Sequence, residues 1–151
     1  MKILILDVYK EVSHRISKDT SGGYGTGNNF GNSLFPSFLK KTLKKIHDWP
    51  PLFAVYTHSV LLQQGHDVTF SKELPKNFEE YELFIIASSI VCCETELKII
   101  KKIKEKKNSI FAIGPFATNK PQIYSDVGAT VILGEPEFYF LQNNNLENDL
   151  K

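Results

Sequence analysis

The sequence contains very little cysteine. Its 151 residues include two cysteines, and these are neighbours, Cys92 and Cys93. Adjacent cysteines rarely form a disulfide, because the ring that they would close is strained. Two adjacent thiols without C-x-x-C spacing or nearby histidines are also a poor metal site. We therefore expect reduced thiols near the start of a helix, and neither a disulfide framework nor a zinc site.

Strong charge of either sign is absent as well, since the formal net charge is +1 at pH 7. This leaves no electrostatic case for binding to nucleic acid or to an anionic membrane. No apolar run approaches the roughly 20 residues that span a bilayer. The apolar run near the N-terminus is too short for a signal peptide and lacks a small-residue cleavage site. We therefore predict a cytoplasmic protein with no nucleic-acid or membrane partner.

Glycine is concentrated in the stretch SGGYGTGNNFG, residues 21–31, which contains five glycines. The phosphate-binding template G-x-x-x-x-G-K-[ST] fails because Asn28 occupies the lysine position. The dinucleotide template G-x-G-x-x-G fails because Phe30 occupies the third glycine position. Both templates also need a strand directly before the loop, and the nearest strand pattern ends near Val8. We predict instead a long functional loop over residues 9–33.

Catalytic constellations are scarce in this sequence. The four histidines lie in different predicted elements and show no H-E-x-x-H spacing. A G-x-S-x-G elbow for a serine nucleophile is missing. Asp7 resembles the phosphoacceptor of a response regulator, but the stretch GPFAT lacks the lysine that such a site requires. The residues therefore give no case for self-contained chemistry.

Strand patterns and helix patterns alternate along the chain. Strands are predicted within 2–8, 66–71, 81–89, 109–114 and the start of 129–141. Helices are predicted within 33–46, 49–65, 94–107, 114–124 and the end of 129–141. This alternation indicates a parallel sheet with helices on both faces. Five strands most simply form a doubly wound, flavodoxin-like (Rossmann-like) sheet of order 2-1-3-4-5 over residues 1–141, with a polar tail or linker at 142–151.

The predicted strands end in small or hydroxyl-bearing residues. The turns after the third, fourth and fifth strands contain Ser88-Ser89, Gly114-Pro115 and Gly134-Glu135. Ligands of open parallel sheets bind beyond the carboxyl ends of the strands, and such turns let a ligand approach the backbone closely. Glycine also ends strands for reasons of turn geometry alone, so both interpretations stay open.

Four segments, in this order, resemble the N-terminal cobalamin-binding domain of cobalamin-dependent radical S-adenosylmethionine enzymes. They are WPPLFAVYTHSVLLQQGHDVTF, YELFIIASSIVCCETELKIIKKIKEK, IFAIGPFAT and ATVILGEPEF. The resemblance covers about residues 1–140 and implies a corrinoid cofactor whose nucleotide tail enters a cleft between the strand ends. The residues that it places along this cleft are Ser88, Ser89, Gly114, Pro115, Thr118, Gly134 and Glu135.

The chain departs from the family pattern in its turns. The family turn Gly-Gly-Pro-His-Ala-Thr reads IGPFAT at 113–118, and the turn Gly-Glu-Gly-Glu reads GEPE at 134–137. The cobalt-ligating motif D-x-H-x-x-G of other cobalamin proteins is also altered, with Tyr9 at the histidine position and Val12 at the glycine position. The resemblance therefore implies cobalamin bound without a protein histidine. Tyr9 is expected either near the lower face of the corrin or in the core.

The radical half of such enzymes requires a C-x-x-x-C-x-x-C triplet for its iron–sulfur cluster, and this sequence has none. The cluster and S-adenosylmethionine are therefore expected only in a separate C-terminal radical domain. The chain is predicted to be the binding domain of a larger enzyme such as a methyltransferase. The loop 9–33 is expected to be a lid that is mobile without ligand and folds over the corrin or against the missing domain. The alternatives are a stand-alone relative, a cofactor-free interaction or regulatory module, and a small enzyme or sensor that uses a nucleotide.

Overall fold

The computed structural model describes residues 1–9, 50–106, 108–143 and 146. The glycine-rich stretch 21–31, the predicted lid and the predicted helix within 33–46 lie outside these residues. The predicted tail at 142–151 also lies mostly outside them, since only Gln142, Asn143 and Leu146 of it are described, and Leu146 is buried.

The described residues form one five-stranded sheet in which every strand pairing is parallel, in the order 2-1-3-4-5. This confirms the predicted flavodoxin-like α/β fold. The strands are β1 (Lys2–Leu6), β2 (Asp67–Ser71), β3 (Leu83–Ala87), β4 (Ser109–Ile113) and β5 (Thr130–Val131). The middle strands consist almost wholly of buried apolar residues because helices cover both of their faces. The edge strand β5 has only two residues and is shorter than the sequence pattern predicted.

Within the described residues, five α-helices connect or follow these strands. They are α1 (Leu52–Gln63), α2 (Cys93–Lys104), α3 (Pro115–Asn119), α4 (Pro121–Ser125) and α5 (Pro136–Gln142), and a short 3-10 helix spans Phe78–Glu80. Proline stands at the first position of α3, α4 and α5, where its missing N–H leaves no helical bond unmade. The single short helix predicted within 114–124 is divided in two at Lys120, whose backbone leaves the helical region.

The two faces of the sheet bury separate apolar clusters. Alternate residues of β3 point to opposite faces, so Phe84 packs on the side of α2 and α4, whereas Ile85 packs on the side of α1 and α5. The inward stripe predicted for α2 is confirmed, because Ile100 and Ile103 are fully buried and Leu97 packs against the same cluster. Cys92 and Cys93 lie at the start of α2 as predicted, and neither forms a disulfide. Among the described helices, none has the length and apolarity to cross a bilayer.

Candidate functional site

A cleft of about 180 Å³ opens at the carboxyl ends of β4 and β5, beside the first turn of α1. Its walls bring together five of the residues that the sequence predicted, from two turns that are far apart in the chain. The lining residues are Phe53, Gly114, Pro115, Thr118, Gly134, Glu135 and Pro136. Because the strands are parallel, both turns emerge at the same edge of the sheet, and this places them side by side.

A hydrogen bond joins the two turns directly. The N–H of Gly134 donates to Oγ1 of Thr118 over 3.1 Å, and the N–H of Thr118 donates to the carbonyl oxygen of Gly114 over 3.0 Å. Gly134 adopts φ +79° with no atom within 4 Å of the position that a Cβ would take. The backbone therefore faces open space at Gly134, as close approach of a ligand would require.

Gly114 has a different environment from Gly134. Its φ is +100°, and an added Cβ would lie 2.6 Å from Cζ of Phe53. The ring of Phe53 thus fills the space that the glycine leaves, so an internal contact accounts for this glycine in the structure. Thr57 donates its hydroxyl to the carbonyl oxygen of Phe53 over 2.7 Å, within the first turns of α1.

Ser88 and Ser89 are not among the residues that line the cleft. Both are buried, and each uses its hydroxyl within the protein. Oγ of Ser88 accepts the N–H of Ala117 over 2.9 Å and thereby ties β3 to α3. Oγ of Ser89 accepts the N–H of Cys92 over 3.1 Å at the start of α2. In the described structure, the two serines therefore position the turns around the cleft.

A buried carboxylate that the sequence analysis missed holds the turn after β3. Glu96 is fully buried, and its oxygens accept the N–H of Ser89 at 3.1 and 3.2 Å and the hydroxyl of Tyr124 at 2.5 Å. Glu96 precedes Ile100 and Ile103 by four and seven residues, which is the spacing of one helix face. That spacing is the signal that could have identified Glu96 as an inward-facing residue.

Burial keeps the hydroxyl and thiol beside Glu96 protonated. Burial and the neighbouring carboxylate raise the pKa of Tyr124 far above its ordinary value, so the phenol stays a hydrogen-bond donor. Burial likewise raises the pKa of the Cys93 thiol, which disfavours the reactive thiolate. This corner of the sheet is therefore suited to holding structure and poorly suited to nucleophilic chemistry.

Tyr9 follows β1 at the same edge of the sheet but is not among the residues that line the cleft. Its hydroxyl donates to Oδ2 of Asp7 over 3.2 Å, and Asp7 is fully buried. The N–H of Asp7 donates to the carbonyl oxygen of Ser71 over 2.9 Å, which extends the β1–β2 pairing by one bond. The interaction with a buried carboxylate gives Tyr9 a defined position beside the end of β1.

Large apolar side chains are exposed around this edge. They lie in the turns after β3 and β5 and in the first turns of α1 and α5, and their exposed fractions run from 44% to 65%. We call this set the apolar rim: Leu52, Ile90, Val91, Leu133 and Phe138. Each of these side chains belongs to a segment that begins at the carboxyl edge of the sheet, and exposed apolar surface at one edge favours a role in binding a ligand or a protein. The described residues include no group of three or more His, Cys, Asp or Glu that could hold a metal ion.

Comparison with known proteins found no matching family model, no matching curated protein and no matching solved structure. What the structure itself defines is a flavodoxin-like α/β domain with a cleft and an apolar rim at the carboxyl edge of its sheet.

Proposed function

We propose that this chain is a cobalamin-binding domain that serves a radical S-adenosylmethionine domain, such as that of a methyltransferase. The observation that carries the proposal is the convergence of the two turns. Strand order and the resemblance both place Gly114, Pro115, Thr118, Gly134 and Glu135 at the proposed corrinoid cleft, and these five residues line one cleft, whereas Ser88 and Ser89 do not line it. The cofactor would supply a reactive cobalt, and this chain would supply orientation and exclusion of water.

The chemistry of this edge fits a corrinoid that lies across it. The apolar rim offers hydrophobic surface to a broad ring, and the open backbone at Gly134 allows close approach. The cleft itself is small, since its volume of about 180 Å³ is below the roughly 300–1,000 Å³ of pockets that enclose drug-sized ligands. The sheet edge therefore suits the corrin ring, whereas the cleft at its present size admits only a small part of the nucleotide tail.

The polar residues of the cleft have distinct roles in this proposal. Thr118 accepts a hydrogen bond from Gly134, and its own hydroxyl hydrogen can be donated to a ligand oxygen. Glu135 is exposed at the cleft and can accept hydrogen bonds from amide side chains of a corrinoid. Ser88 and Ser89 act indirectly, because their hydroxyls hold the neighbouring turns.

Reconstitution with hydroxocobalamin tests the proposal. After incubation with the cofactor and desalting, the full chain is expected to retain the visible corrin absorption at close to one equivalent. The variant Leu133→Asp places a charge in the apolar rim and should lower the affinity about tenfold or more. Lys98→Asp, on the exposed side of α2, is the matched control and should bind as the wild type does. A full chain that retains no corrin contradicts the proposal.

The apolar rim also supports a second candidate, a cofactor-free interaction module. Exposed apolar clusters occur at protein-binding surfaces as well as at ligand sites. Sedimentation velocity over a range of concentrations tests this alternative on the same two variants. Self-association that is lost in Leu133→Asp and kept in Lys98→Asp, together with no retained corrin, would favour the interaction module. A monomer at every concentration that retains corrin would exclude self-association as the role of the rim.

A further inference from the structure

The turn between β3 and α2 carries two large apolar residues at its tip. Ile90 and Val91 lie between Ser89 and Cys92, and their exposed fractions are 64% and 44%. Exposed turns are ordinarily built from glycine, proline, asparagine, aspartate or serine. Neither Ile90 nor Val91 belongs to the apolar clusters of the core, so packing within the domain does not explain them. Residues that break a local sequence rule in this way are expected at functional sites.

Hydrogen bonds close the base of this turn. The N–H of Ser89 donates to the two carboxylate oxygens of Glu96 over 3.1 and 3.2 Å, and its hydroxyl donates to Oε1 of Glu96 over 3.3 Å. The same hydroxyl oxygen accepts the N–H of Cys92 over 3.1 Å. Because Glu96 lies in the first turn of α2, its carboxylate joins the turn to the helix that follows it.

The two apolar side chains are preorganised as a result. Glu96 is itself fixed, because it is fully buried and accepts the hydroxyl of Tyr124. Ile90 and Val91 are branched at Cβ, which restricts their χ1 angles. Little conformational freedom is therefore left to lose when a ligand covers them, and preorganisation of this kind lowers the free-energy cost of binding.

This turn starts beside the turn that lines the cleft. Strand β3 pairs with β4, and neighbouring strands lie about 4.8 Å apart. The N–H of Ser88 donates to the carbonyl oxygen of Ile113 over 2.9 Å, so the pairing continues up to the residue before Gly114. A broad ring that lies next to the cleft can therefore contact Ile90 and Val91.

We infer that Ile90 and Val91 are the preorganised apolar contact for the ring of a corrinoid, and that Glu96 is the positioning residue that holds them. The inference deepens the proposed function and rests on it for the identity of the ligand. That Glu96 holds the turn rests on the hydrogen-bond geometry alone.

Titration of the full chain with hydroxocobalamin, followed by visible absorption, tests the apolar contact. The double variant Ile90→Thr/Val91→Thr keeps the branching at Cβ and should lower the affinity about tenfold, because less apolar surface is buried. Its urea midpoint should match that of the wild type, since both positions are exposed. Leu62→Gln, an exposed change near the end of α1, is the matched control and should bind as the wild type does. Equal affinity of the double variant and the wild type would overturn the inference.

The same titration of Glu96→Gln tests the positioning role. This change keeps the size of the side chain but turns one acceptor into a donor, so the affinity should fall about threefold. Added to the double variant, Glu96→Gln should lower the affinity no further, because it acts through the two apolar side chains. An equal loss in both backgrounds would mark a general structural role and overturn the positioning role. Ser89→Ala, which removes the acceptor of the Cys92 N–H, provides the same test if Glu96→Gln does not fold.

Hydrogen exchange of the ligand-free protein, followed by NMR, separates this inference from the proposed function. In Glu96→Gln, the amides of Ser89 and Cys92 should exchange about tenfold faster, whereas those of β3 should keep their rates. Unchanged exchange at these two amides would contradict the role of Glu96. If the wild type retains no corrin, the proposed function and the assignment of the ligand fail together. If the wild type retains corrin and the double variant binds it equally well, the proposed function stands and the inference fails.

Discussion

Two corners of the same sheet edge differ in how they use their polar groups. At the β3–α2 corner, Ser88, Ser89, Glu96 and Tyr124 are buried and hydrogen-bonded to one another or to nearby backbone. At the cleft, the turns after β4 and β5 share one hydrogen bond, and the remaining space is open or is filled by the ring of Phe53. A turn with hydroxyl-bearing residues or glycine at a strand end can therefore be buried and internally hydrogen-bonded, or it can remain accessible to a ligand.

The largest effect expected from this difference concerns Glu96. Glu96→Ala would leave the N–H of Ser89 and the hydroxyl of Tyr124 buried without their acceptor. An unsatisfied buried polar group costs roughly 1–3 kcal/mol, so the free energy of unfolding should fall by about 4 kcal/mol. Urea denaturation followed by circular dichroism measures this loss. Glu94→Ala, an exposed change two residues earlier on the same helix, should stay within about 0.5 kcal/mol of the wild type. Similar losses in the two variants would refute a structural role for Glu96.

The next effect distinguishes the two glycines of the cleft. Gly114→Ala meets both a positive φ and the ring of Phe53, and it should lower the free energy of unfolding by about 3 kcal/mol. Gly134→Ala meets the positive φ alone and should cost only about 1 kcal/mol. In the Phe53→Ala background, the cost of Gly114→Ala should fall toward that of Gly134→Ala. Thermal and urea unfolding of the double-mutant cycle measure this coupling, and strictly additive costs would show that the ring and the glycine do not interact.

A smaller effect compares one hydroxyl from each corner. Ser88→Ala leaves the buried N–H of Ala117 without its acceptor and should cost about 1.5 kcal/mol. Thr118→Val removes the acceptor of the Gly134 N–H at an exposed position, where water can replace it, so a cost of about 0.5 kcal/mol is expected. The urea midpoints of the two variants provide the test. A larger loss for Thr118→Val than for Ser88→Ala would reverse our assignment of the closed and open corners.

The smallest effect is a change in alkaline stability. The pKa of Tyr124 is raised in the folded protein, so above the ordinary tyrosine pKa of about 10 the unfolded chain loses a proton that the folded chain keeps. Stability from this group is therefore present below about pH 10 and is lost as the pH rises above it. Tyr124→Phe should flatten the decline in unfolding free energy between pH 10 and 11 by at most about 1.4 kcal/mol per pH unit. Urea titrations at each pH measure the slope. The exposed Tyr56→Phe is the control, and an equal change of slope in that variant would argue against Tyr124 as the cause.

Much of the fold was predictable because local patterns determine it. The apolar runs of β1, β3 and β4 are long enough, and apolar enough, to indicate strands buried on both faces. Connections of helical length between such strands leave few topologies, and the order 2-1-3-4-5 is the simplest of them. The division between α3 and α4 was less predictable, because it depends on the turn around Lys120 and on Pro121.

The candidate site was predictable only in part. The convergence of the Gly114 and Gly134 turns follows from strand order, since the carboxyl ends of parallel strands share one edge. The sequence could not show that Ser88 and Ser89 would be satisfied internally by Ala117 and Cys92. Which partner a hydroxyl finds depends on the packing of α2 and α3 against the sheet, and local sequence does not contain that information.

What the sequence determined by itself is the sheet, its strand order and the edge at which small and hydroxyl-bearing turns collect. These follow from hydrophobic periodicity and chain connectivity, which act over a few residues at a time. Only the tertiary structure decided which of those turns remains accessible. Phe53 in α1 contacts Gly114 at the end of β4, and these residues are distant in sequence. Cζ of Phe53 lies 2.6 Å from the position that a Cβ would take at Gly114, and this distance depends on how α1 packs against the sheet. The size of the cleft could not be predicted from local patterns, because it depends on close packing between distant elements. A single side-chain atom changes how such elements fit together.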